Sequence, residues 1–406
     1  MPTKATGKTM NRREPGSPPF KTIALLLQGG GALGAYQGGV YEALARANVL
    51  PNWIAGISIG AVNSALIAGN PPEKRVERLR EFWEAVSTSP LGVFGIPYAR
   101  SLDLKDQATH SFVNQVHALG IAMLGAPSFF APRFPPLHLW PPQKPNTLSF
   151  YDVAPLRATL ERLVDFDRIN NGDVRFSVGA VNVSSGNFTY FDSTTHKIDA
   201  RHIIASGSLP PGFPATEVDG DYYWDGGIVS NTPLQWVFDT RPRVDTLAFQ
   251  VDLWSSSGEL PRDLTQADVR QKEIQFASRT RFATDHFKLS QGLRHAFRRV
   301  YDRLPGGLRS DPDVEMLASE TEERAYNVVE LIYRAKPYEG VAQDYEFSRR
   351  TMEEHWRTGH DDAARARPPG DFPARRQSRA VPVVRLLQIC MTAGAGRRPP
   401  LTSLRR

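Results

Sequence analysis

Apolar positions along the first part of the chain fall into a short repeating order. Thr22 to Leu27 is a continuous apolar run ending in glycines, the pattern of a strand buried on both faces of a parallel sheet. From Ala32 to Ala47 the residues Leu33, Tyr36, Val40 and Leu44 recur at helical spacing. Asn52 to Ile57 is a second short strand, and Ala61 to Ala68 is a helix of small residues ending at Gly69-Asn70. Strand, helix, strand, helix in this order predicts an α/β class with a mainly parallel sheet. An amphipathic helix over Pro72 to Val86 comes next.

Residues 90–150 break the pattern. A helical stretch, Gln107 to Leu124, turns almost wholly apolar from Ala118 onward. Prolines then alternate with Phe129, Phe130, Phe134, Leu137, Leu139 and Trp140. A segment of this length between sheet elements is a lid, a binding loop or a linker. We read 107–140 as an apolar cover that meets a lipid surface. Regular order returns with a helix over Val153 to Val164 and a hairpin made of Val174 to Val183 and Phe188 to Phe191. Further strands are predicted at Tyr222 to Trp224, Thr246 to Leu253 and Asn327 to Arg334, with charged helices over 263–303 and 344–366.

Composition narrows the function classes. Of 406 residues, 41% are hydrophobic and 23% charged, which supports a large folded core. No stretch approaches the roughly 18 consecutive apolar residues of a membrane-spanning helix. The single cysteine, Cys390, excludes an internal disulfide and a cysteine-based zinc cluster, and the nine histidines lack paired metal spacing. No apolar signal segment precedes Pro18-Pro19, so a reducing, cytoplasmic setting is expected. The net charge of +6 is concentrated at the ends. Residues 365–406 hold ten arginines against Asp371 alone, and residues 1–20 hold four cations against Glu14, so residues 21–364 carry a net of −6. A mildly acidic body argues against nucleic acid as partner, while basic ends suit solvated tails or an anionic membrane surface.

Two glycine motifs carry the candidate chemistry. Gly29-Gly-Gly-Ala-Leu-Gly34 lies between a strand and a helix and fits the dinucleotide pattern G-x-G-x-x-G. The acidic residue that would hold a ribose is missing from 48–57, which leaves a nucleotide loop, a tight turn and an anion cradle as readings. Gly56-Ile57-Ser58-Ile59-Gly60 is G-x-S-x-G between a predicted strand and helix, where a serine hydroxyl stands exposed on a sharp turn. If the two strands are neighbours, the Gly29–Gly31 amides form an oxyanion hole opposite Ser58. A base must accompany the serine. No histidine has a motif around it. Asp225, in Tyr222-Tyr-Trp-Asp-Gly-Gly-Ile-Val-Ser-Asn-Thr-Pro233, is the better candidate, although Asp-Gly-Gly is equally a turn signal.

Taken in order, the glycine loop Gly29–Gly34, the elbow Gly56–Gly60, the segment Ala205 to Pro214 and Asp225-Gly226-Gly227 resemble the patatin-like phospholipase family over residues 21–253. Residues 317–366, with Tyr333-Arg-Ala-Lys-Pro-Tyr-Glu-Gly340, resemble the C-terminal extension of a bacterial subgroup. The resemblance implies a three-layer α/β/α fold and a Ser–Asp dyad, with Ser58 as nucleophile, Asp225 as base and Gly30 and Gly31 as oxyanion donors. It implies no metal and no cofactor, and a lipid or hydrophobic ester as substrate. Leu33 stands where the family's glycine loop usually has a cation. The expected organisation is a basic disordered segment 1–20, an acyl hydrolase domain 21–255 with the insertion 90–150, a mostly helical extension 256–366, and an Arg/Pro-rich tail 367–406. A nucleotide-binding oxidoreductase and a catalytically silent lipid-binding protein are the alternatives.

Overall fold

Alternate residues of the first strand serve opposite layers of the molecule. Ile23, Leu25 and Leu27 join a core with Tyr36, Val40, Leu66, Phe82 and Trp356, whereas Ala24 and Leu26 join a second core with Leu234, Phe238 and Phe287. Side chains alternate across a strand with a period of two, so both faces of this sheet are covered. The computed structural model describes residues 20–87, 107–134, 144–172, 174–321, 324–336 and 338–366, and the backbone of 385–389. The segments expected to be disordered at 1–19 and over most of 367–406, the stretches 88–106 and 135–143, and with them Trp140 and Cys390, lie outside the described residues.

The strands are β1 (Thr22–Leu27), β2 (Trp53–Gly56), β3 (Ala131–Pro132), β4 (Tyr151–Asp152), β5 (Arg175–Asn182), β6 (Phe188–Asp192), β7 (Thr216–Val218), β8 (Asp221–Asp225), β9 (Thr246–Asp252), β10 (Tyr326–Ile332) and β11 (Arg385–Ile389). The helices are α1 (Ala35–Arg46), α2 (Ile59–Ala68), α3 (Arg75–Val86), α4 (Gln107–Leu124), α5 (Ala154–Leu163), α6 (Phe166–Asn171), α7 (Ala200–Ser206), α8 (Leu234–Asp239), α9 (Leu264–Tyr301), α10 (Gly306–Arg309), α11 (Pro312–Ser319) and α12 (Arg349–Arg365). The main sheet runs β11-β10-β9-β1-β2-β5-β8-β7, with β6 also on β5. The strands from β11 to β5 are mutually parallel, while β6 and β8 run antiparallel to β5. This is a three-layer α/β/α fold on a mainly parallel sheet.

The register around β5 places the site. β6 pairs with Ser177 to Val181 along one edge. On the other edge β2 takes Arg175 to Val178, and β8 continues beyond it from Ala180 to Asn182. Gly56 therefore lies opposite Val178 and Asp225 opposite Ala180, and the turns after β2 and β8 meet around Gly179.

The C-terminal part is built into the same body. β10 pairs with β9 through seven residues, from Tyr326 opposite Thr246 to Ile332 opposite Asp252. β11 forms within the stretch expected to be a tail. α12 seats Trp356 on Gly38 and Gly39 of α1. The Trp356 indole N–H donates to Glu42 at 2.5 Å, and the Tyr36 hydroxyl donates to Asp362 at 3.0 Å. In the insertion, Phe129 and Phe130 pack with Phe213 and Phe347 in an aromatic cluster, so Phe130 is part of the core and the partly buried Phe129 packs against it.

Candidate active site

β1 and β2 end in register, Leu27 opposite Gly56, so the chain turns out of the sheet twice at neighbouring points. The second turn is tight, with Gly56 and Gly60 bracketing Ser58 between β2 and α2. Ser58 has φ +56° and ψ −124°, a left-handed backbone that L-residues adopt at a cost of order 1–3 kcal/mol. The strain is held by a bifurcated bond. The Ser58 N–H donates to the Ser206 carbonyl at 3.1 Å and to its hydroxyl oxygen at 3.0 Å, and the Ser206 hydroxyl donates to the Gly179 carbonyl at 2.7 Å. Ser58 is also the N-cap of α2, so the positive end of that helix faces it.

The Ser58 side chain lies beside the Asp225 carboxylate and lowers its proton affinity. Asp225 ends β8 and is 2% exposed. Its N–H donates to the Ser208 carbonyl at 3.0 Å, and its Oδ1 accepts from the Gly227 N–H at 2.7 Å. Burial lifts its carboxyl to about 6, against the opposing pull of the neighbouring Ser58 side chain and the Gly227 N–H. An unpaired buried carboxylate is costly, and these two neighbours make the charged form accessible near neutral pH. Gly226 packs on the Gly179 carbonyl, which fixes the Asp-Gly-Gly turn against β5.

The first glycine loop lies against the serine. A Cβ placed on Gly29 would be 3.0 Å from Ser58 Cβ. Gly31 has φ +57°, and a Cβ there would stand 2.0 Å from the Asp344 carbonyl oxygen, so only glycine fits. Among the described residues the N–H groups of Gly30 and Gly31 have no hydrogen-bond acceptor, whereas Gly29 N–H, Ala32 N–H and Leu33 N–H are all taken. Gly34 closes the loop against Ile59 and Trp83. Leu33 points into the core and is fully buried.

The structure brings Ser58, Asp225, the glycines of both loops and those of Asp-Gly-Gly to the same end of the sheet. Among the described residues no histidine is hydrogen-bonded to Ser58 or Asp225. His202, for example, is engaged with Asp199 at the start of α7. Sequence reasoning missed Ser206 and Asn231. Both lie inside the quoted motifs, but nothing in residue type or spacing marks a buried serine or asparagine that braces backbone.

The family model for patatin-like phospholipase matches residues 25–237, and a second, described as patatin phospholipase, matches 274–370. No curated protein matches the chain. Among solved structures, VipD from Legionella pneumophila is similar at 13% identity and a TM-score of 0.36, over 88% of this chain and 71% of that one. The type III effector ExoU is similar at 15% identity and a TM-score of 0.26, over 85% of this chain and 54% of that one. A third structure, full-length ExoU of Pseudomonas aeruginosa with SpcU, gives 16% identity and a TM-score of 0.23, over 66% and 53% of the two chains. The first family match spans more than half of the chain, and the chain belongs to the patatin-like phospholipase family of lipid ester hydrolases.

Proposed function

We propose that this protein is a serine acyl hydrolase that cleaves carboxylic esters of lipids, or other hydrophobic esters, through a Ser58–Asp225 dyad. The observation that carries the reading is the strained, half-buried Ser58 on its sharp turn, set beside the buried Asp225 carboxylate. As Ser58 Oγ attacks the ester carbonyl carbon, its proton passes to Asp225. The carbonyl oxygen takes up the negative charge opposite the Gly30 and Gly31 N–H groups. Collapse breaks the ester C–O bond, and the leaving alcohol takes the proton from Asp225. Water then gives a proton to Asp225 and attacks the acyl carbon. The second collapse frees the acid and returns the proton to Ser58. Each oxyanion donor is worth about 3–4 kcal/mol of barrier lowering. The dinucleotide reading of the glycine loop is not carried forward, because the loop falls inside the matched hydrolase region.

The insertion supports contact with a lipid surface. On α4 the residues Phe112, Val116, Leu119 and Met123 form one stripe and are 44–66% exposed, while His110, Asn114, Ala118 and Ile121 face inward. α4 stands at the site end of the sheet. Its Ala122 carbonyl accepts from the Tyr151 hydroxyl at 2.8 Å, and its His110 stacks on Tyr338 at 3.8 Å. The segment after Tyr338 runs to Asp344, whose carbonyl accepts from Ala32 in the glycine loop. An outward apolar stripe next to the site suits docking on an aggregate that holds the substrate. Among the described residues no helix is long and apolar enough to cross a membrane.

Rates across a series of p-nitrophenyl esters of increasing acyl length, with Ser58→Ala as control, test the reading. The wild-type protein hydrolyses members of the series and Ser58→Ala loses that activity by about 10³-fold or more. Equal activity in both, or binding of long-chain esters without turnover in the wild type, contradicts it.

A further inference from the structure

We infer that Asn231 is a positioning residue that aims the oxyanion donors, by clamping the glycine loop to the turn that carries Asp225; the inference rests on the active-site reading above. Asn231 is 2% exposed and lies six residues after Asp225. Its side-chain amide meets Gly29 twice. The Gly29 N–H donates to Asn231 Oδ1 at 3.2 Å, and Asn231 Nδ2 donates to the Gly29 carbonyl at 3.1 Å. The indole N–H of Trp254 gives that carbonyl a second bond at 2.9 Å. Asn231 also borders the base, since a Cβ on Gly227 would lie 3.0 Å from Asn231 Oδ1 and 3.1 Å from Asp225 Oδ1. One side chain therefore touches both loops of the site.

The consequence follows from peptide planarity. The Gly29 carbonyl and the Gly30 N–H belong to one trans peptide unit and point in opposite directions. Two donors that hold the carbonyl on one side thereby turn the Gly30 N–H to the other. Leu33 does the same for the next unit, its N–H donating to the Gly30 carbonyl at 3.2 Å and so turning the Gly31 N–H. Gly29 has both backbone groups committed to Asn231 and serves as anchor, which leaves Gly30 and Gly31 as donors. Without the clamp, only Trp254 holds the Gly29 carbonyl, so the Gly29–Gly30 unit gains freedom to rotate in a loop made of glycines and preorganisation weakens.

Neither a filler of space nor a simple stabiliser predicts a selective effect on the tetrahedral state. The test compares wild type, Asn231→Leu, Asn231→Ala and Trp254→Phe on a soluble short-chain ester. It also measures inhibition by a trifluoromethyl ketone, which a serine converts to a tetrahedral adduct, and by the matching non-hydrolysable ether. Asn231→Leu keeps the volume and loses both bonds. We expect its kcat to fall about 10²-fold with KM within about threefold, the scale of one lost oxyanion donor. Ketone affinity falls in parallel, ether affinity holds, and Asn231→Ala behaves alike. Trp254→Phe removes one of the two bonds on the Gly29 carbonyl and shows the same signature at about five- to tenfold, which keeps the proposal testable if the Asn231 variants do not fold. Wild-type kcat and ketone affinity in folded Asn231→Leu, or rescue by Leu of a defect seen in Ala, overturn the clamp. Full activity in Ser58→Ala instead overturns the active-site reading beneath it.

Discussion

The Ser58 side chain lies beside an Asp225 carboxylate that is almost wholly removed from solvent, and burial is what raises that carboxyl to about 6. The base works as the carboxylate. Below about pH 6 it is protonated and unable to take the serine proton, and above it the charged form prevails. For a soluble ester, kcat/KM should therefore rise with pH through an apparent pKa of about 6 and then level off. A flat profile from pH 4.5 to 8 would speak against Asp225 as the base.

Asp225→Asn keeps the size of the side chain and its contact with the Gly227 N–H while removing the basic oxygen. Turnover should drop about 10³-fold or more with the melting temperature little changed. Retained activity there, with loss in a single His→Ala variant, would transfer the role of base to that histidine.

Gly31→Ala combines a positive φ with a Cβ 2.0 Å from the Asp344 carbonyl oxygen. The loop has to shift, and the shift moves an oxyanion donor. Activity should fall about 10²-fold or more, whereas Gly186→Ala, at φ +71° with open space around it, should leave activity near wild type. Equal activity in the two variants would remove the glycine loop from the chemistry.

Much of this was legible in the sequence, for identifiable reasons. β1, β2 and the glycine turns after them stand out because a strand buried on both faces is a continuous apolar run and a sharp turn demands small residues. Ser58 follows from that context. Asp225 does not, because Asp-Gly-Gly reads as a turn until the register of β8 on β5 places it beside the elbow. Asn231 and Ser206 are less visible still: their partners are backbone atoms brought near only by the fold. The strand read at 327–334 is present as β10, but its pairing with β9 crosses a long helix and leaves no local trace. Phe129 and Phe130 look like surface aromatics between prolines, yet the cluster with Phe213 and Phe347 buries much of both rings.

The C-terminal part shares the core through Trp356, which sits on Gly38 and Gly39, bonds Glu42 and has the Arg80 guanidinium 3.9 Å from its ring centre. Trp356→Ala should cost about 3–5 kcal/mol of stability, the range for a large buried aromatic. Denaturant unfolding checks it. A loss under about 1 kcal/mol would mean that α12 contributes little to holding the hydrolase body.

Leu119→Ser with Met123→Ser removes two members of the exposed α4 stripe. Activity on phospholipid vesicles should fall at least about tenfold, while rates on a soluble short-chain ester and the melting temperature stay within error of wild type. Equal losses on both substrates, with a lower melting temperature, would make the stripe a packing face.

The central claim is that Ser58 is the nucleophile and Asp225 activates it. The most direct measurement is labelling of the intact protein with a fluorophosphonate, followed by mapping of the adduct by mass spectrometry. The account predicts one modified serine, Ser58, with no labelling in Ser58→Ala and labelling slowed by about 10³-fold in folded Asp225→Asn. An adduct on another serine, or unchanged labelling of a folded Ser58→Ala, would contradict it.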